Sequence, residues 1–189
     1  MQRFSSIADP GVAELLLAGK VGVIPCDTVY GLVARAADES AVTRLYALKH
    51  REHKPGTLIG ASIDDISALG IPRRYLTAVQ QFWPGAVSVE TPHRVAYLTQ
   101  DTGRQAIRIP ANEPLLSLLT QTGPLQTTSA NAPGEPTAST IQEAEAYFGD
   151  NVDFYVDGGD MSGGLPSTIV RVVDDELEVV RQGAVKIDF

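Results

Sequence analysis

Hydroxyls, cations and one amide recur at the ends of apolar runs in this chain, and that set could handle an anionic ligand. Asp27, Thr28 and Tyr30 follow the apolar run of residues 21–24, which Pro25 carries out into a turn. Lys49 and Arg51 close a helical pattern that has Val42, Leu45, Tyr46 and Leu48 on one face, with Lys54 just beyond. Lys binds a phosphate as a point charge and Arg as a planar fork. The same two cations would equally complement a helix dipole in water. Arg108 sits in an apolar strand pattern between Ile107 and Ile109, its side chain opposite theirs, pointing either into a site or to solvent. Thr127, Thr128, Ser129 and Asn131 stand at a strand exit, where they could bind a ligand or cap a turn. Ser167 and Thr168, after two glycines and Pro166, could offer N–H groups and a hydroxyl to an anion, and Arg181 ends a hairpin pattern.

Other chemistries lack their residues. The sequence has neither the phosphate-loop nor the dinucleotide glycine fingerprint, and no nucleophile elbow. His50, His53 and His93 have no ligand spacing with cysteine or paired carboxylates, so no metal site is expected. The single cysteine, Cys26, excludes an internal disulfide and reads as a small buried residue, with no base marked for it.

The elements that must position these groups alternate between strand and helix. Asp9-Pro10 opens a helix that Gly19 ends, and the 21–24 strand follows. Gly31 is expected to allow a tight reversal before a helix capped by Asp38 or Ser40. A strand is expected from Thr57, a brief helix over 64–69, a longer one over 72–82, and strands at 86–90 and 106–109. Asn112 caps a helix, residues 125–128 form a strand, and Ser139 or Thr140 starts the last helix. A strand at 154–156, a mobile loop over 157–164 and a hairpin over 167–181, turned at Asp174-Asp175-Glu176, complete the chain. This irregular interleaving predicts an α/β fold with an open, twisted, mixed β-sheet and flanking helices around a central concave site.

With 189 residues, 43% hydrophobic and 20% charged, residues 1–189 are expected to form a single domain with a full core. A net charge of −8 repels nucleic acid and anionic membranes unless a local basic patch intervenes. The start lacks an apolar signal core and no run approaches the ~20 apolar residues of a membrane span, so a cytoplasmic protein is expected.

Seven of these segments, in order over residues 20–185, resemble the motifs of the YrdC-like (TsaC) family of threonylcarbamoyl-AMP synthases. They are Pro25-Cys-Asp-Thr-Val-Tyr-Gly-Leu32, Lys49-His-Arg51, Trp83-Pro-Gly-Ala-Val-Ser88, Gln105-Ala-Ile-Arg-Ile-Pro110, Ser129-Ala-Asn131, Pro166-Ser-Thr-Ile169 and Arg181-Gln-Gly-Ala184. The resemblance is to the short stand-alone form. It implies a nucleotidyltransferase that makes threonylcarbamoyl-AMP and pyrophosphate from ATP, L-threonine and bicarbonate, for t6A modification at tRNA adenosine 37.

The resemblance further implies that Lys49, Arg51, Ser129 and Asn131 are the catalytic tetrad holding triphosphate and carbamate. Thr28, Tyr30, Arg108, Thr127 and Ser167 would form the threonine side, and Thr137 and Arg181 would join the tetrad around the nucleotide. Mg2+ would ride on the ATP phosphates, and a tRNA threonylcarbamoyltransferase machinery would take the product. Cys26, Glu52, Thr57 and Arg104 depart from the family pattern. Two other readings stand beside this one: a carbamoyl-adenylate enzyme with another substrate, and an RNA-binding module using a basic mouth of Lys49, Arg51, Lys54 and Arg104.

Overall fold

The structure, a computed structural model, describes residues 1–50, 52–173 and 176–187. Its four longest helices begin where the capping chemistry places them. Asp9 accepts from the Gly11 N–H at the head of α1 (Pro10–Leu17), and Asp38 accepts from the Ala41 N–H at α2 (Glu39–Leu48). Asn112 caps α6 (Glu113–Thr122) through the Leu115 N–H, and Thr140 caps α7 (Ile141–Phe148) through the Glu143 N–H. Each cap satisfies a helical N–H that would otherwise lack a partner. The bond from the Ala41 N–H, followed by one from the Ser40 hydroxyl, also holds the Asp38 carboxyl below its ordinary range.

Among the described residues, ten strands form one sheet: β1 (Gln2–Phe4), β2 (Gly22–Pro25), β3 (Tyr30–Arg35), β4 (Thr57–Ile59), β5 (Val87–Pro92), β6 (Arg104–Arg108), β7 (Leu125–Ser129), β8 (Phe154–Val156), β9 (Thr168–Val173) and β10 (Glu176–Arg181). Their spatial order is β1-β8-β2-β3-β7-β4-β6-β5-β9-β10. Four pairs are parallel (β1 with β8, β2 with β8, β4 with β6, β5 with β9) and the other five antiparallel, so the sheet is mixed as expected.

Four elements differ from the sequence reading. Residues 30–35 form β3, not a reversal at Gly31, and pair antiparallel with β2. That run is apolar and buried toward both faces, so it lacks the alternation that marks a strand. Gly31 is there for packing: a Cβ would come within 2.7 Å of Thr127 Oγ1 and 2.9 Å of Cys26 Sγ. The helix expected over 72–82 splits at Val79 into α4 (Arg73–Ala78) and a single 3-10 turn. Strand β1 and a one-turn helix, α5 (Ala96–Thr99), carry too little periodicity to be read in advance. The short α3 (Ile63–Ser67) and the β9–β10 hairpin form, though Asp174 and Asp175 at its turn lie outside the described residues.

Segment 157–164 is tied down at several points. The Tyr30 hydroxyl accepts from the Gly158 N–H at 2.8 Å and donates to the Gly159 carbonyl at 2.9 Å, and the Met161 N–H reaches the Ser139 carbonyl.

The two sheet faces are covered unequally. Leu45 of α2 and Ile141, Ala144 and Phe148 of α7 pack with Leu32, Leu58 and Ile107 on one face. On the other, α1 and α6 bring Leu16, Leu118 and Leu119 onto Ile24, Val33, Ile59 and Leu125. Side chains at alternate positions share a face, so Leu125 lies in this second core while Thr127 and Ser129, on the same side, run past it. There the sheet has no helical cover, and a cavity opens.

Candidate active site

The cavity has a volume of about 590 Å³, within the range of small-molecule sites. Its floor is the bare sheet face, where Thr127, Thr57, Ala106, Glu90 and Arg171 lie side by side in register across five strands. The tip of the β2–β3 hairpin, closed by the Cys26 N–H on the Val29 carbonyl, brings Thr28 to the same space. Thr137, Ser167 and Arg181 contribute from the opposite side. Lys54, Arg104, Arg108, Arg171 and Arg181 line the cavity with Glu90 as the one carboxylate among the described residues. A chain of net charge −8 thus has a locally cationic pocket, which can attract a small anion against the overall charge.

Arg108 does not reach solvent; it is 4% exposed. Its Nη2 donates to Asp27 Oδ1 at 2.9 Å and its Nη1 to Ser88 Oγ at 3.3 Å. Ser88 shares a hydrogen bond of 2.8 Å with Ser167, whose carbonyl accepts from Arg181 Nη2 at 2.6 Å. A continuous chain therefore links Asp27, Arg108, Ser88, Ser167 and Arg181. Arg108 Nε and Asp27 Oδ2 are both buried without a partner, each costing about 1–3 kcal/mol in a folded protein.

Lys49 is the C-cap of α2 but not a solvated cation. It is 6% exposed, and its ammonium donates to the Ser129 carbonyl at 3.0 Å, to the Asn131 carbonyl and to Asn131 Oδ1 at 2.8 Å. Ser129 Oγ also donates to Asn131 Oδ1, and Asn131 Nδ2 serves the Ala132 and Glu135 carbonyls. Of this group Ser129 lines the cavity, while Lys49 and Asn131 brace it from behind. Arg51 lies outside the described residues.

Thr28, Thr127 and Ser167, expected on the amino-acid side, line the cavity, as do Thr137 and Arg181. Tyr30 does not: its side chain is fully buried in the α2/α7 core, burial pushes its hydroxyl up in pKa, and the hydroxyl holds residues 158 and 159. Its motif position suggested contact, but the pleat turns it away from Gly31 and the cavity. Glu90 and Arg171 were missed. Arg171 Nε and Nη2 both bond Glu90 Oε2, at 2.7 and 2.6 Å, and only cross-strand register could have paired them. Asp27 was noted without a role.

Burial pushes the Cys26 thiol up to about 12, despite the pull of Arg108 in the other direction. No serine here hydrogen-bonds a histidine among the described residues, so the site has positioning groups and charge but no activated nucleophile. No group of three or more His, Cys, Asp or Glu side chains that could hold a metal occurs among the described residues. No described helix is long and apolar enough to cross a membrane. Glu52, beside the tetrad positions, is exposed.

A mixed sheet whose uncovered face forms a cationic, hydroxyl-lined cavity defines an α/β protein with a site of the size and charge for a small anionic ligand. The chain belongs to the family whose sequence model is Sua5_yciO_yrdC, described as "Telomere recombination", which matches residues 14–183. It is 34% identical over 166 residues to the threonylcarbamoyl-AMP synthase of Stutzerimonas stutzeri, covering 85% of this chain and 89% of that one. The threonylcarbamoyl-AMP synthase of Bacillus subtilis is 31% identical over 193 residues, 95% of this chain and 55% of its own. Among solved structures, Pyrococcus abyssi Sua5 complexed with L-threonine superposes with a TM-score of 0.85 at 27% identity, over 97% of this chain and 58% of that one.

Proposed function

We propose that this chain is a threonylcarbamoyl-AMP synthase, condensing ATP, L-threonine and bicarbonate and releasing pyrophosphate. The observation that carries the reading is the cavity: among the described residues, five lining cations on an acidic protein, with hydroxyls and no activated nucleophile. Threonine and bicarbonate give a carbamate with loss of water, and the carbamate oxygen attacks the α-phosphorus of ATP as the bond to pyrophosphate breaks. Such a displacement asks for positioning and charge neutralisation, not covalent catalysis.

In this reading Arg108, Thr28, Thr127 and Ser167 receive the amino acid, and Ser129, Thr137 and Arg181 receive the nucleotide. Lys49 and Asn131 set the position of Ser129, and Arg51 adds charge at the phosphates. Tyr30 acts at one remove, by holding residues 158 and 159. Mg2+ enters on the triphosphate and supplies counter-charge there. Residues 1–189 act as one cytoplasmic domain, and the labile adenylate passes to a tRNA threonylcarbamoyl-transferring machinery.

The test is to follow pyrophosphate and adenylate with purified protein. Product is expected only when ATP, L-threonine and bicarbonate are all present. Equal pyrophosphate release without threonine rules the assignment out.

A further inference from the structure

The cavity favours anions except at one place on its floor. Glu90 is the one carboxylate among the described lining residues, and it stands in register between Ala106 of β6 and Arg171 of β9. An arginine and a carboxylate that pair in full use both carboxylate oxygens, in two parallel bonds. Arg171 instead places Nε and Nη2 on the same oxygen, Glu90 Oε2, at 2.7 and 2.6 Å. Glu90 Oε1 accepts no hydrogen bond from the described residues and is not a buried atom, so it stays open. The side chain is 20% exposed, and the next two floor positions, Ala106 and Thr57, carry small side chains that leave room above it. The floor therefore has a charge-neutral stretch with a strong acceptor on it, beside a cationic region. ATP is divided in the same way. Its triphosphate is anionic, whereas its nucleoside half is uncharged and carries donors, the sugar hydroxyls and the amino group of the ring.

We propose that Glu90, braced by Arg171, is a specificity-determining residue for the nucleotide, its Oε1 accepting a hydrogen bond from the nucleoside half. The proposal deepens the synthase reading and rests on it for the identity of the nucleotide. Register supports the placement: Arg181, on the nucleotide side in that reading, pairs with Ile169. Arg171 follows two residues along β9 on the same face, about 6.6 Å further on. Charge supports it too. A phosphate over Glu90 would meet a like charge, so the pair turns the triphosphate toward Arg181 and keeps its own stretch for the sugar or the ring.

The test is titration calorimetry on the full chain with ATP and with tripolyphosphate, which is the anionic half alone. Two analogues complete the set: dideoxy-ATP, without the sugar hydroxyls, and purine riboside triphosphate, without the amino group. In Glu90→Gln the amide oxygen must serve Arg171, which puts a donor where Oε1 stood. The affinity of ATP relative to tripolyphosphate should fall about tenfold or more, the scale of one hydrogen bond to a charged group. Tripolyphosphate itself should bind as well as before or better, because a negative charge has gone. The analogue that lacks the partner of Glu90 should show a smaller fall, which tells sugar from ring. Equal weakening of ATP and tripolyphosphate, an unchanged ratio, or an undiminished fall with both analogues overturns the proposal. If Glu90→Gln does not fold, the wild type decides: at least one analogue must bind about tenfold more weakly than ATP. Equal binding of all three then overturns the assignment. Failure of the synthase reading looks different: ATP would not bind, but another nucleoside triphosphate would, with the same dependence on Glu90. If no nucleoside triphosphate binds, the assignment of Glu90 is itself overturned.

Discussion

Lys49 grips Asn131 twice: its ammonium donates to the backbone carbonyl and, at 2.8 Å, to the side-chain amide oxygen. A third bond runs to the Ser129 carbonyl, so the charge is spent on shaping one loop. An exposed helix end would have made Lys49→Ala harmless to the fold. Burial reverses that expectation. Lys49→Ala leaves buried acceptors unserved, at about 1–3 kcal/mol, or about 2–4 °C of melting temperature per kcal/mol in a chain of this size. Activity should fall at least about a hundredfold as Ser129 moves, the scale set by a small misplacement of a positioning group. Thermal melts and steady-state kinetics check both, and an unchanged melting temperature contradicts the bracing role.

Tyr30→Phe keeps the ring in the core and removes only the hydroxyl that bridges residues 158 and 159. The expected cost is about 0.5–1.5 kcal/mol, with faster limited proteolysis inside 157–164. The Michaelis constant for threonine should change less than in Arg108→Gln. A Tyr30→Phe effect larger than that of Arg108→Gln would put the hydroxyl on the substrate.

Cys26, with its thiol pushed up to about 12 by burial, stays protonated through the neutral range. Native protein should react with a thiol reagent far more slowly than unfolded protein, and Cys26→Ser should retain turnover. Rapid labelling that tracks loss of activity would reopen a nucleophilic role.

Asp153 holds the Val21 N–H at 2.9 Å and pairs with Arg44. Burial alone would raise its pKa, but these bonds outweigh it and the folded value is lowered. A lowered folded value means stabilisation that is complete above the unfolded carboxylate pKa of about 3.9 and fades as pH falls through the folded one. Asp153→Asn should therefore be less stable at neutral pH and converge on the wild type in acid. A constant difference across the titration would assign the effect to packing instead.

The helix starts were legible because capping is local. Asp9, Asp38, Asn112 and Thr140 each bond an N–H two or three residues away. The site was legible as a collection, since Thr28, Arg108, Thr127, Ser129, Thr137, Ser167 and Arg181 do meet at one cavity. What stayed hidden depends on register. Whether Arg108 faced solvent or a partner turned on Asp27, far away in sequence, and the ion pair of Glu90 with Arg171 exists only because β5 and β9 lie parallel. The burial of Lys49 depends likewise on where the 129–131 loop returns. The β3 strand was missed for the opposite reason: a run buried on both faces has no alternation to read.

The strand order has a consequence for timing. Thr28 arrives in the turn between the second and third strands, Ser129 at the end of the seventh, and Ser167 and Arg181 only with the last hairpin. Pairings this distant close late, and during synthesis the earlier strands leave the ribosome first. A nascent or clipped chain lacking residues beyond 166 holds its hairpin tip and most of its cations but no far wall. The pocket is therefore closed on that side only once the last hairpin has joined the sheet.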